Sequence, residues 1–431
     1  MRAEAVICFL IAFVGACLAS VESSQAAPAL LARRATAQFT VVPSPNPNPI
    51  ADTINGLGIL SPTDAWAVGF QNSDNLNGSR SLALHWSGGR WNVTSTPNPG
   101  VPGCATSNFG NVLNAVAPVA ANDVWAVGFT FNCRTAILRP LVLHWNGSGW
   151  SVVATPALRT NDNAALNGIY ALATDNIWAV GYHPAPNGAV LPLIEHWNGR
   201  RWTQFPESLV PRLASGGNPL NSVSATSPQD IWAVGDAVTP SNDPRDPNQP
   251  VKTFVLHFDG RRWSIIPSPN PLPTGVLNQN VLNSVVAVAP NDVTAVGYIL
   301  DFNTQRVLTL IEHWNGSSFQ VVASPNPSSS ANTFNALKSV TARAANDLYA
   351  VGSFANGSTN GNDRTLIEHF DGGTWSLLPA PTRGVAQQLN GVASMARGPV
   401  WAGGAFSVNG TNPEGNRLIV PRTLTILGTG P

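Results

Sequence analysis

Residues 113–129 read LNAVAPVAANDVWAVGF and residues 141–156 read LVLHWNGSGWSVVATP, with a variable insert between them, and nearly the same sentence recurs down the 431-residue chain. Its anchor, Trp-Ala-Val-Gly, begins at Trp66, Trp125, Trp178 and Trp232. It returns as Thr294-Ala-Val-Gly and Tyr349-Ala-Val-Gly, and last as Trp401-Ala-Gly-Gly. A fixed internal period overrides any domain count taken from length and makes one supersecondary unit the thing to read. Six anchors are preceded by Asp64, Asp123, Asn176, Asp230, Asp292 or Asp347. These short polar side chains favour turns by bonding to nearby backbone. An apolar run stands before each turn, as at 113–117, 220–225 and 282–288. Strand, turn and anchor together predict a tight hairpin.

A third strand ends at His85-Trp86, His144-Trp145, His196-Trp197, His257-Phe258, His313-Trp314 and His369-Phe370. Asn-Gly or Asp-Gly follows most of them, the strongest hairpin signal a sequence offers because both residues accept positive φ. Trp91, Trp150, Trp202, Trp263, Phe319 and Trp375 then open a fourth strand. Prolines end it, since proline cannot donate to a ladder. Four short antiparallel strands per repeat predict a β-propeller blade. Trp66, Trp125, Trp178, Trp232 and Trp401 are expected to pack between blades, and the six repeat histidines to be hydrogen-bonded blade residues.

Seven anchors face six fourth strands. The missing strand lies at the other end of the chain, where 39–47 (FTVVPSPNP) matches 319–327 (FQVVASPNP) at seven of nine positions. The prediction is an all-β, seven-bladed β-propeller of four-stranded antiparallel blades over residues 39–431. Phe39 to Pro43 would complete the last blade and close the ring, which removes exposed strand edges.

The order aromatic-x-Val-Gly, then a strand ending before Asp/Asn-Gly, then Trp and a proline-ended strand resembles the kelch repeat. It is closest to the kelch-like repeats of secreted bacterial propellers of unassigned function. Kelch units usually carry Gly-Gly after the second strand, and only Gly403-Gly404 does so here; Gly69, Gly128, Gly181, Gly235, Gly297 and Gly352 stand alone.

Formal net charge is zero and 11% of residues are charged, which supplies no basic footprint for nucleic acid. Residues 1–27 read as an export signal, with Arg2, an apolar run from Ala5 to Leu18 and small residues after it. Residues 28–38 follow as a linker. Val14-Gly15-Ala16-Cys17 also resembles a bacterial lipoprotein processing site, where Cys17 would carry a lipid anchor. The expectation is a monomer, secreted or held at the cell surface, without a membrane span. Cys104 and Cys133 then form an even pair, read as a disulfide worth roughly 3–4 kcal/mol by loop entropy.

In each repeat two connections are tight and two vary, and an antiparallel blade puts both variable sets on one face. Function is expected on that elaborated face, with Phe131, His183, Asp301, Phe302, Phe354 and Phe406 as binding residues for a glycan or a protein. The leading expectation is a non-catalytic binding module, with no cofactor and no metal site predicted. One alternative is a carbohydrate hydrolase or lyase using the loop carboxylates Asp243, Asp246, Asp301 and Asp363. Another is a calcium-stabilised structural propeller. The four tyrosines are strand residues, which weighs against a sialidase-like nucleophile.

Overall fold

The structure is a computed structural model. It describes residues 37–72, 78–99, 110–132, 135–158, 163–185, 188–213, 217–238, 250–272, 278–328, 332–355, 363–411 and 417–429. The expected export signal with Cys17, the cysteines Cys104 and Cys133, and Asp243 and Asp246 lie outside the described residues.

In six repeats the inner strand hairpins onto the anchor strand through a two-residue turn, and in the Trp401 repeat through residues 395–399. Ser61 thus pairs Asp64 and Ala120 pairs Asp123. The anchor strand pairs the His strand along its length, with Trp125 opposite His144 and Trp232 opposite His257. The short fourth strand closes the set, as Trp145 pairs Trp150. Gly147 and Gly316, in the Asn-Gly turns, both sit at φ 93°, where a side chain would be strained. The anchor glycine has a different cause: a Cβ on Gly128 would fall 2.0 Å from the Val112 carbonyl oxygen.

These pairings build an all-β propeller of four-stranded antiparallel blades. Five four-stranded sheets stand alone, carrying Trp66, Trp125, Trp178, Tyr349 and Trp401. Seven separate blades are expected from sequence, and the pairing gives five. The repeats of Trp232 and Thr294 merge into one eight-stranded sheet, because Val251 and Gln279 form a single parallel bridge between them. The N-terminal strand Gln38–Val42 pairs antiparallel with the C-terminal strand Arg417–Thr429, Phe39 opposite Gly428. Just beyond that strand, the Ser44 and Thr423 hydroxyls bond at 2.7 Å.

The core lies between neighbouring sheets. Trp66 and Val68 share one cluster with Leu113, Leu141 and Trp150 of the next repeat. Trp401 shares another with Ile54, Leu84 and Trp91. Trp66 stacks on His85 at 4.1 Å and Trp232 on His257 at 4.2 Å between centroids. Tryptophan anchors also meet two aromatics of another repeat: Trp125 meets Trp197 and Trp202, and Trp401 meets Trp86 and Trp91. Offset and edge-on aromatic contacts of this kind add to the free energy of area burial.

The turn carboxylates do more than shape turns. Asp123 Oδ1 accepts from Trp125 Nε1 at 2.7 Å and lies 2.9 Å from His144 Nε2. Asp230 serves Trp232 and His257 in the same way, at 3.0 and 2.7 Å. The repeat histidines are therefore structural, as expected, whereas the aspartates reach side chains rather than the backbone ahead.

Candidate functional site

Every inner strand breaks register near its start, and all but the last break it again at the turn. The first breaks fall between Ile54 and Gly56, Leu113 and Ala115, Leu166 and Gly168, and Leu220 and Ser222. They recur between Leu282 and Ser284, Leu337 and Ser339, and Leu389 and Gly391. A bulge leaves one residue out of the ladder and re-aims its side chain. The residues so placed are Asn55, Asn114, Asn167, Asn221, Asn283, Lys338 and Asn390, and all seven line one cavity of about 180 Å³. They lie toward the strand ends that carry the variable connections.

Each asparagine Nδ2 donates to a main-chain oxygen of the next inner strand. Asn55 reaches Leu113 at 3.0 Å, Asn114 reaches Leu166 at 2.9 Å, and Asn167 reaches Leu220 at 2.9 Å. Asn221 reaches Leu282 at 2.9 Å, Asn283 reaches Leu337 at 2.7 Å, and Asn390 reaches Ile54 at 2.8 Å. The following residue must be small: a Cβ on Gly56 would lie 2.8 Å from the Asn114 oxygen. Where it is serine, the hydroxyl accepts from the next strand, as Ser284 does from the Val340 N–H at 3.2 Å. A carboxamide holds two N–H donors and one acceptor. Some of the remaining capacity is used beside the cavity, as where Asn114 Nδ2 also reaches Asn167 Oδ1 at 3.5 Å.

Lys338 is the exception among the seven. Its ammonium lies 5.9 Å from the centroid of Tyr298, within cation–π range. Among the described residues it makes no ion pair, and burial lowers its pKa from the usual lysine value. Asp236, on the next repeat but one back, accepts from Asn221 Nδ2 at 3.2 Å. Burial pushes the Asp236 carboxyl up to about 6, against the pull of that bond. The Tyr298 hydroxyl is also raised, by burial and by the Asp236 charge. Two cavity-lining residues thus each contact a group outside the lining, Lys338 the Tyr298 ring and Asn221 the Asp236 carboxylate.

The residues expected to bind are not brought together. Phe131 is a part-exposed residue of the strand Asp123–Asn132. His183 is buried in Asn176–Pro184, and Phe406 is buried in Val400–Thr411 with the Arg383 guanidinium 5.0 Å from its ring. Phe354 packs against the core between the Thr294 and Tyr349 repeats. These four are ladder residues rather than loop residues because the second strand runs several residues past the anchor glycine. Asp301 and Phe302 do share a turn. Asp301 accepts from Thr304 Oγ1 at 2.8 Å and the Asn303 N–H at 3.0 Å, and the hydroxyl holds its carboxyl below the usual range. Asp363 lies on a different repeat, where burial raises its pKa.

No group of three or more His, Cys, Asp or Glu able to hold a metal occurs among the described residues. No helix among them is long and apolar enough to cross a membrane. The asparagine set was missed from sequence. Its signal is the tetrapeptide Leu-Asn-small-Val, seen as Leu113-Asn-Ala-Val, Leu220-Asn-Ser-Val and Leu389-Asn-Gly-Val, with Leu337-Lys-Ser-Val as the variant.

No family model matches the chain, and no curated protein matches it in sequence. Solved structures resemble it only at TM-scores below 0.5. YCF48 bound to D1 peptide has a TM-score of 0.48 at 12% identity, over 92% of this chain and 97% of that one. The α-L-arabinofuranosidase Arb93A from Fusarium graminearum, with an iminosugar inhibitor, has 0.46 at 12% identity, over 78% and 98%. The phage phi92 endosialidase has 0.47 at 10% identity, over 91% and 69%. Similarity at this level assigns no activity to this chain.

Proposed function

We propose that this protein is an exported, non-catalytic binding propeller that holds a neutral polar ligand, a glycan segment, at its asparagine-lined cavity. The observation that carries the reading is the set of six carboxamides at equivalent bulges around one space. They present repeated donor–acceptor pairs and one cation, which suits hydroxyl-rich ligands better than apolar ones. In this reading the eight-stranded sheet counts as two blades, so seven kelch-like repeats form a closed ring. The Asn390–Ile54 bond and the packing of Trp401 on Trp86 and Trp91 support closure. Export, with Cys104 and Cys133 as a disulfide, belongs to the same reading and rests on sequence.

A second reading has one observation in its favour. Asp236, titrating at about 6 beside Tyr298, has the proton affinity a general acid needs near neutral pH. Carbohydrate hydrolysis would then use Asp236, hydrogen-bonded to the lining residue Asn221, rather than the loop carboxylates.

A glycan array with reducing-end release scored on the same sugars tests both. Binding that survives without release, and is lost in a folded Asn167→Ala variant, supports the binding module. Release abolished by Asp236→Asn would replace it with the hydrolase. Binding unaffected by Asn167→Ala would remove the cavity from the account.

A further inference from the structure

Five anchors are tryptophan and one is tyrosine, but the Thr294 repeat has no ring at this position. Its surroundings are built as if one were there. Asp292 Oδ1 lies 2.9 Å from His313 Nε2, the same bond that Asp230 makes with His257. Phe370 and Trp375 of the next repeat stand where Trp314 and Phe319 meet Trp232, at 5.2 and 5.7 Å between centroids.

The space is open. A cavity of about 550 Å³ is lined by Asp292, Thr294, His313, Leu348, Phe370 and Trp375 among others. The corresponding groove beside Trp178, where the indole is present, holds about 360 Å³. Losing the ring also uncovers the histidine: the His313 side chain is 40% exposed, against 22–25% for His85, His144, His257 and His369. The turn residues Asn291 and Gly373 at its rim put the cavity on the tight-turn face, away from the asparagine set.

We propose that this hollow is a binding site for a small indole-class heteroaromatic carrying a ring N–H. The sister repeats define what fits. The ring stacks on the histidine, as anchor rings do at 4.1 to 4.4 Å. Its N–H donates to the turn carboxylate, as Trp125 and Trp232 donate to Asp123 and Asp230 at 2.7 and 3.0 Å. Its edge meets Phe370 and Trp375. A cavity shaped by a missing side chain has its walls organised before the ligand arrives, so little ordering opposes binding. The site is independent of the asparagine-lined cavity.

The test is calorimetric titration of the full chain with indole and with 1-methylindole. Saturable one-to-one indole binding is expected, retained in Thr294→Val, which keeps the hollow, and lost in Thr294→Trp and Thr294→Tyr, which fill it with the rings other repeats carry. The filled variants should also melt at higher temperature. 1-Methylindole, lacking the N–H, should bind roughly tenfold more weakly or worse, the effect of one lost bond to a charged acceptor. Absence of saturable indole binding to the wild type would overturn the proposal, as would undiminished binding to both filled variants. Equal binding of the two indoles would overturn the role given to Asp292.

Discussion

Asn390, in the last inner strand, donates to the main-chain oxygen of Ile54 in the first at 2.8 Å, across 336 residues of chain. The bond between the two ends of the repeat array is the same in kind as the five bonds between sequence neighbours. Asn390→Ala and Asn283→Ala should therefore cost similar stability, about 1–3 kcal/mol each, because each leaves a carbonyl without its donor. Urea denaturation measures both. A near-neutral Asn390→Ala beside a costly Asn283→Ala would mean that the Asn390–Ile54 bond does not hold the array.

Lys338 interrupts the series where its neighbours would place an amide donating to the Leu389 oxygen. Lys338→Asn removes a partly desolvated cation and can supply that missing bond, so stability should rise by about 1 kcal/mol. Thermal unfolding checks the sign. A fall would show that the ammonium has a stabilising partner beyond the face of Tyr298.

Three glutamates lie fully buried on the His strands, Glu195, Glu312 and Glu368. Burial pushes each up to about 8, and for Glu312 and Glu368 the hydroxyls of Ser268 and Ser324 on the preceding repeat lower it somewhat. The folded state thus holds these protons more tightly than the unfolded chain, whose value is near 4.5. Their contribution to stability is fully present below about 4.5 and is lost as pH rises through 8. Melting temperature should fall across that window in the wild type and flatten in Glu312→Gln and Glu368→Gln. An unchanged slope in the double variant would place the titration elsewhere.

Phe39 is 7% exposed and meets Tyr349 edge-on at 6.2 Å, in the core between the Tyr349 and Trp401 sheets. Phe39→Ala should cost about 3–5 kcal/mol, the usual range for emptying a packed aromatic site. Denaturant midpoints read this directly. A loss below about 1 kcal/mol would mean the N-terminal strand adheres through its ladder alone.

What could be read from sequence was local. Asn-Gly turns, anchor glycines and proline stops each act within a few residues, so strand order and hairpins followed from them. The Val251–Gln279 bridge has no such signature: it depends on two strand ends meeting across a connection. The Asp–His pairs, about twenty residues apart, become visible only when anchor and His strands are in register. The asparagine bulges carry a local motif, yet a bulged strand reads as an ordinary buried one when alternation alone is followed. His183 and Phe406 looked like loop residues because the second strand was taken to end near its glycine.

The N-terminal strand has no partner until the far end of the chain has been made. Ser44 and Thr423 are separated by 379 residues, and Arg422 reaches back to the Asn48 and Pro49 carbonyls as well. Contacts of such long sequence separation are slow to form, since the loop they close must first be ordered. Early repeats can fold as they emerge, while Gln38–Val42 waits as an unpaired segment and the Trp401 sheet waits for its outer edge. The strands Gln38–Val42 and Arg417–Thr429 are therefore expected to pair late, and damage to either should appear as slow completion at the other.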